Sequence, residues 1–314
     1  MSEGAAHIQD VPVLIAGAGM AGITAAAWCR RFQIPALVVE ADRRIGGQIS
    51  SIQNEIMDLP PGVYANGEAL IRDLEHFVTR THLDVRLEER LCEVEPAQRL
   101  VRTDRAHYRV DFLILATGSR PKTLTSLDTT AKILPPDFST TREASTLQGR
   151  KVLVVGGGDR AVESACNLSR YADHIWIALR GTTFRASDRW QARLAACPNV
   201  YVLRETRFLP RLAPDERGIR LLCGHEETWL PVQVILPRIG VEGNAVGVPF
   251  LQTGADGFLA VNEAQETSEE WIYAIGDLAT GSAYASLVSA MAQGMRATKR
   301  ISQRGGIREH GRFS

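Results

Sequence analysis

The chain has 314 residues, 45% hydrophobic and 23% charged, with 36 basic and 36 acidic side chains for a formal net charge of +0. That length fits two domains, and that composition fits a folded globular protein and excludes a disordered or fibrous chain. The zero net charge leaves no global field to draw the chain onto nucleic acid or an anionic membrane.

The first predicted unit is a strand over Val11 to Ile15, the turn Gly17-Ala18-Gly19-Met20-Ala21-Gly22, a helix from Ala21 to about Phe32, and a strand from Ala36 to Val39. Glu40, followed by Ala41, closes it. An acid about 20 residues after a G-x-G-x-x-G turn between strand and helix is the dinucleotide-binding fingerprint. Glycines 17 and 19 let backbone approach a pyrophosphate, Gly22 lets helix and strand pack closely, and the helix N-terminus offers free N–H groups. Glu40 suits the two hydroxyls of an adenosine ribose and repels a 2′-phosphate, so this site fits FAD or NAD and not NADP.

Further on, a strand over Asp111 to Leu115 leads into Ala116-Thr117-Gly118. A second fingerprint follows: a strand over Lys151 to Val155, the turn Gly156-Gly157-Gly158-Asp159-Arg160-Ala161, a helix to about Tyr171, and a strand over Ile175 to Leu179. Ala161 replaces the last glycine, where a small side chain suffices. Arg180 stands where the acid would be, with Arg185 close behind, and guanidinium groups there fit a 2′-phosphate, which selects NADP over NAD. Near the C-terminus a strand over Trp271 to Ile275 exits through Gly276-Asp277, ahead of a helix from about Ala283 to Ile301. Asp277 is placed to hydrogen-bond a polyol, and the helix behind it presents its positive end.

The five cysteines, at 29, 92, 166, 197 and 223, show no CxxC and read in the main as buried thiols. Cys223 and His225 lack a second ligand pair, so no metal is expected. No apolar stretch approaches the roughly 20 residues of a membrane helix, and Met1 to Asp10 lacks a secretory pattern; the expected compartment is the cytoplasm.

Gly17 to Gly22, Gly46-Gly47-Gln48, Ala116 to Gly118, Gly156 to Glu163, Phe184-Arg185 and Gly276-Asp277, in this order and spacing, resemble the low-molecular-weight thioredoxin-reductase-like FAD/NAD(P) oxidoreductases over nearly the whole chain. The resemblance implies an α/β fold of two Rossmann-like domains. The FAD domain would be discontinuous, residues 1–119 and 244–314, with the NAD(P) domain inserted at 120–243. Lys122 onward and Arg238 to Gly243 would be the crossing strands. It also implies that Glu40 holds the FAD ribose, Gly47 and Gln48 lie along the cofactor, Asp277 holds the ribitol, and the protein is a homodimer.

The family's CxxC falls here on Ser139-Thr140-Thr141-Arg142, so a dithiol relay cannot run through that segment. Cysteine-free members include the ferredoxin or flavodoxin NADP reductases, and Asp58, in Ile56 to Pro60, matches the acid they carry beside the flavin. Ile49 to Glu55 has no aromatic residue to stack on the flavin; Phe313 or His310 could supply that cover by folding back. The expected function is therefore electron transfer from NADPH through FAD to ferredoxin, flavodoxin or a small acceptor, without a CxxC relay. The alternatives are an atypical disulfide oxidoreductase, with a second flavin or a protein donor in place of NADPH, and a non-catalytic flavin-binding protein.

Overall fold

The computed structural model describes residues 8–124, 127–211, 217–281 and 284–305. In the first stretch, β1 (Ile8–Ala16) runs into α1 (Met20–Arg31) and β2 (Ala36–Val39). The hairpin β3 (Ile56–Leu59) and β4 (Gly62–Tyr64) precedes α2 (Gly67–Thr81), whose Asn66 cap accepts the Ala69 N–H at 3.0 Å. Four strands complete this stretch: β5 (Asp84–Arg86), β6 (Leu91–Glu95), β7 (Leu100–Thr103) and β8 (His107–Leu115); β9 (Ser119–Pro121) follows.

The middle of the chain carries β10 (Lys132–Ile133), β11 (Lys151–Val155), α3 (Asp159–Leu168), β12 (His174–Ala178), α4 (Asp188–Ala195) and β13 (Val200–Leu203). Then come β14 (Thr206–Leu209), β15 (Ile219–Cys223), β16 (Glu226–Leu230) and β17 (Val234–Pro237). The last stretch holds β18 (Val241–Gly243), β19 (Ile272–Ala274) and α5 (Leu287–Arg304).

The chain divides into two compact units, Met1–Arg120 with Glu242–Ser314, and Pro121–Val241. In the first, the sheet order is β5-β2-β1-β8-β7-β6, with β19 also on β8. Strands β5, β2, β1, β8 and β19 are parallel, and β7 and β6 add antiparallel. A strand flanked by parallel neighbours and covered on both faces needs a continuous apolar run, and Val11 to Ala16 of β1 are all buried. Small residues let α1 lie close: an added Cβ on Gly294 of α5 would come within 2.7 Å of the Ala21 carbonyl oxygen of α1.

In the second unit the parallel order is β10-β17-β11-β12-β13, beside an antiparallel sheet β14-β15-β16. Strand alternation sorts its core into two faces. Val152 and Val154 of β11 pack with α3 and α4 residues such as Ala165 and Leu194, while Leu153 and Val155 pack with Ile219 and Leu221 of β15. Strands β9 and β18 pair where the chain leaves and re-enters the first unit, and the Lys122 N–H continues the pairing to the Gly240 C=O at 2.9 Å.

The helices differ in their ends from the sequence expectation. Helix α3 stops at Leu168 instead of about Tyr171, because Ser169 caps it and turns its hydroxyl onto the Cys166 carbonyl at 2.8 Å. Helix α5 starts at Leu287, where the Ser286 side chain accepts the Ser289 N–H at 3.0 Å, and continues to Arg304. The expected start at Ala283 lies outside the described residues, as do His310 and Phe313.

Candidate dinucleotide sites

The first glycine turn is shaped by one close approach. Gly17 has φ +108°, and a Cβ there would stand 2.3 Å from the Ala116 carbonyl oxygen at the end of β8. Glycine is the residue that tolerates both conditions. The chain thus turns sharply between β1 and α1, and Gly19 becomes the helix N-cap, with no side-chain cap and no acid in the first turn. An N-terminus left without an internal partner offers free N–H donors and a partial positive charge, the pairing a diphosphate needs.

Glu40, 8% exposed, reaches back from the end of β2. Its carboxylate accepts the Ala18 N–H at 2.6 Å and the Asp42 N–H at 2.9 Å, so it braces the glycine turn while lining the same cleft. That cleft encloses about 610 Å³, inside the usual range for ligand sites. It gathers Gly17, Gly19, Met20, Ala21, Glu40, Ala41, Gly47, Gln48, Ala116, Thr117, Gly118, Gly276 and Asp277. Gly22 is not in the lining: a Cβ there would fall 1.9 Å from the Gly17 carbonyl oxygen, so it acts in helix packing. Asp58 also lies outside the lining. On β3 the buried residues are Ile56 and Leu59, and Met57 and Asp58 face solvent between them, where the β3–β4 register shifts.

Three contributors escape sequence reasoning. Asn244 lines the cleft, its carbonyl accepting the Thr117 hydroxyl at 2.7 Å and its side-chain amide donating to the Thr117 carbonyl at 3.2 Å. Gln293 of α5 accepts the Gly276 N–H at 2.6 Å, which fixes the turn that presents Asp277. Ser286, the α5 cap, brings that helix's N-terminal end to the cleft. Burial raises the Asp277 carboxyl above the ordinary carboxylate range.

The second unit repeats the turn. Gly156 has φ +138°, and its Cβ would stand 2.1 Å from the Arg238 carbonyl oxygen; Gly158 caps α3 and Ala161 is fully buried. Asp159 opens the helix and accepts the Ser187 N–H at 2.6 Å, and Arg160 beside it is exposed. The backbone N–H groups of Arg185 and Ala186 both reach the Gly157 carbonyl, at 2.8 and 3.1 Å, so the loop carrying Arg185 folds onto the turn. Arg180 is exposed just past β12. Arg204, which the sequence reading overlooks, lies over the Phe184 ring at 5.9 Å and adds a cation beside this loop.

Arg238 is not part of a crossing strand. It is buried, donates to Ser164 Oγ at 2.9 Å and to the Pro136 and Phe138 carbonyls at 2.8 and 2.6 Å, and burial lowers it to about 10.

In place of a dithiol, Ser139 pairs its hydroxyl with that of Thr141 at 3.1 Å and gives its N–H to Glu143 at 2.9 Å, while Asn167 reaches Thr140 at 3.3 Å. All five cysteines are free thiols, but only Cys29 and Cys166 are buried as expected; Cys197 and Cys223 are partly exposed and Cys92 is exposed. Among the described residues no group of three or more His, Cys, Asp or Glu could hold a metal, and no helix is long and apolar enough to cross a membrane.

Comparison with known proteins agrees with this geometry. The ferredoxin–NADP reductase of Sulfurisphaera tokodaii is 25% identical over 295 residues, covering 87% of this chain and 86% of its own. That of Limosilactobacillus reuteri is 27% identical over 306 residues, covering 91% and 90%. Among solved structures, the bacillithiol disulfide reductase of Bacillus cereus superposes with a TM-score of 0.80 at 17% identity, covering 95% of this chain and 100% of its own. The thioredoxin reductase of Lactococcus lactis gives 0.75 at 20% identity, covering 94% and 98%, and these two likenesses establish the fold alone. The profile of the family described as pyridine nucleotide-disulphide oxidoreductase matches residues 11–294, so the chain belongs to that family and is an FAD-dependent oxidoreductase.

Proposed function

We propose that the protein passes electrons from NADPH, by way of FAD, to a one-electron carrier of the ferredoxin or flavodoxin kind or to a small acceptor, without a dithiol relay. The observation that carries this reading is a cleft combining an open helix N-terminus, a buried ribose-type acceptor and a polyol-type acceptor, in a chain whose dithiol segment reads Ser139-Thr140-Thr141-Arg142. Relatives named ferredoxin–NADP reductase support the choice of acceptor and of NADPH.

The residues fit FAD in the first unit. Gly17, Gly19 and the first turn of α1, Met20 and Ala21, would take the diphosphate. Glu40 would accept the adenosine ribose hydroxyls, and Asp277 a ribitol hydroxyl. Gly47, Gln48 and the Ala116-Thr117-Gly118 turn would border the remaining length. In the second unit, Gly156, Gly158 and the α3 N-terminus, with Arg180 and Arg185, would take the NADPH phosphates, and Arg204 would reinforce them. When bound, the flavin supplies hydride acceptance and one-electron release, and the protein supplies position and electrostatics. The same reading assigns the inserted unit to NADPH and the discontinuous unit to FAD, and takes the protein as a cytoplasmic homodimer.

The test is an anaerobic titration of the FAD-loaded protein with NADPH and with NADH, followed by oxidised ferredoxin. NADPH should bleach the flavin at lower concentration than NADH, and ferredoxin should restore the colour. Equal response to both donors would refute the nucleotide assignment, and bleaching without transfer to ferredoxin, flavodoxin or a dye would refute the electron-transfer reading.

A further inference from the structure

The thiols Cys166 and Cys197 are far apart in the chain yet belong to one apolar cluster of the second unit, on the face of the parallel sheet covered by α3 and α4. Cys166 lies in the last turn of α3 and is 7% exposed. Cys197 follows the end of α4, is partly exposed, and directs its Sγ to the Arg193 carbonyl at 3.5 Å. Cys197 is a side-chain neighbour of Cys166, and the Arg193 guanidinium also acts on Cys166. Cys29 and Cys92 belong to the other unit.

We propose that Cys166 and Cys197 are an oxidisable thiol pair that closes to an intrachain disulfide on reaction with a low-molecular-weight disulfide. The asymmetry of the pair sets the order of events. Cys197 has the exposure needed to meet a solute, whereas burial pushes the Cys166 thiol up to about 11 and keeps it protonated. The Cys197 thiolate, its proton released to solvent, attacks one sulfur of the small disulfide. A Cys197 mixed disulfide forms, the small disulfide's S–S bond breaks, and one small thiolate leaves. Cys166 then gives up its proton and attacks the Cys197 sulfur; the mixed bond breaks and a second small thiol departs. In sum two protein thiols are oxidised by two electrons and one small disulfide is reduced to two thiols. A dithiol reverses the sequence. This site is independent of the electron acceptor proposed above, because neither cysteine lines the cleft of the first unit.

The experiment uses the full chain, reduced, freed of reductant and incubated anaerobically with oxidised glutathione. Five free thiols, counted after denaturation, should fall to three. Tryptic mapping should show the peptide Ala161 to Arg170 joined to Leu194 to Arg204, with no intermolecular link. Cys166→Ala should instead accumulate glutathione on Cys197, and Cys197→Ser should leave Cys166 free; circular dichroism confirms that each variant is folded. Five thiols remaining in the parent, lasting glutathione on its Cys197, or a disulfide joining different cysteines would each overturn the proposal.

Discussion

Replacing Glu40 with Gln probes the first site at the point where fold and ligand share one side chain. The substitution keeps the volume of a residue that is 8% exposed, so packing is preserved. The carboxylate now accepts two backbone N–H groups, from Ala18 at 2.6 Å and Asp42 at 2.9 Å. An amide has one acceptor and one donor, so either orientation sets an NH₂ against one of those N–H groups. A hydrogen bond to a charged acceptor contributes about 1.5 to 3 kcal/mol, and an orphaned buried donor costs a comparable amount. Because Ala18 belongs to the glycine turn, the loss falls on the proposed diphosphate cradle as well as on the proposed ribose acceptor. FAD affinity should drop about ten- to a hundredfold, on the scale of one such bond. The assay is flavin fluorescence on stripped protein, with Glu40→Asp as the charged control, which should lose less. A Glu40→Gln protein binding FAD within twofold of the parent would refute the bracing argument.

Asp277 gives a pH-dependent prediction. Burial raises its carboxyl, so its stabilising contribution to the apoprotein is complete below the ordinary carboxylate range and is lost as pH rises through the raised value. Asp277→Asn should therefore raise the apoprotein melting temperature near neutral pH, leave it unchanged in acid, and weaken FAD binding; melting curves across pH check the sign. Arg180→Ala should cost about tenfold in half-saturating NADPH and little with NADH, since a guanidinium pairs with the 2′-phosphate that only NADPH carries. Steady-state kinetics with both donors decides it, and parallel losses would contradict the assignment. Gly22→Val should yield little soluble, flavin-loaded protein, because a Cβ there would stand 1.9 Å from the Gly17 carbonyl oxygen, which expression and flavin content will report.

What could be read from the chain alone was local. The run from β1 to Glu40 is legible because a buried parallel strand, a glycine turn and a small-residue helix each leave a continuous pattern. Lys151 to Arg180 repeats it for the same reason. The sequence places Asp58 in the site, whereas β3 buries Ile56 and Leu59 and leaves Asp58 exposed, which spacing along the chain does not reveal. Asn244 and Gln293 were invisible, since their partners Thr117 and Gly276 lie 127 and 17 residues away and no periodicity links them. Arg238 is expected to open a crossing strand, and only the fold shows it buried against carbonyls beside Gly156. The Cys166 and Cys197 pair was hidden likewise, because spacing along the chain says nothing about two helices packing side by side.

Electron transfer without a thiol relay can be decided in a single anaerobic mixing experiment. The FAD-loaded protein, its accessible thiols blocked with iodoacetamide, is reduced with NADPH and mixed with oxidised ferredoxin while the flavin and ferredoxin absorptions are followed. Ferredoxin should be reduced, and the flavin colour should return, at a rate within a few fold of the unblocked protein. Loss of transfer on blocking, with flavin content and reduction by NADPH intact, would place a thiol on the electron path and contradict it.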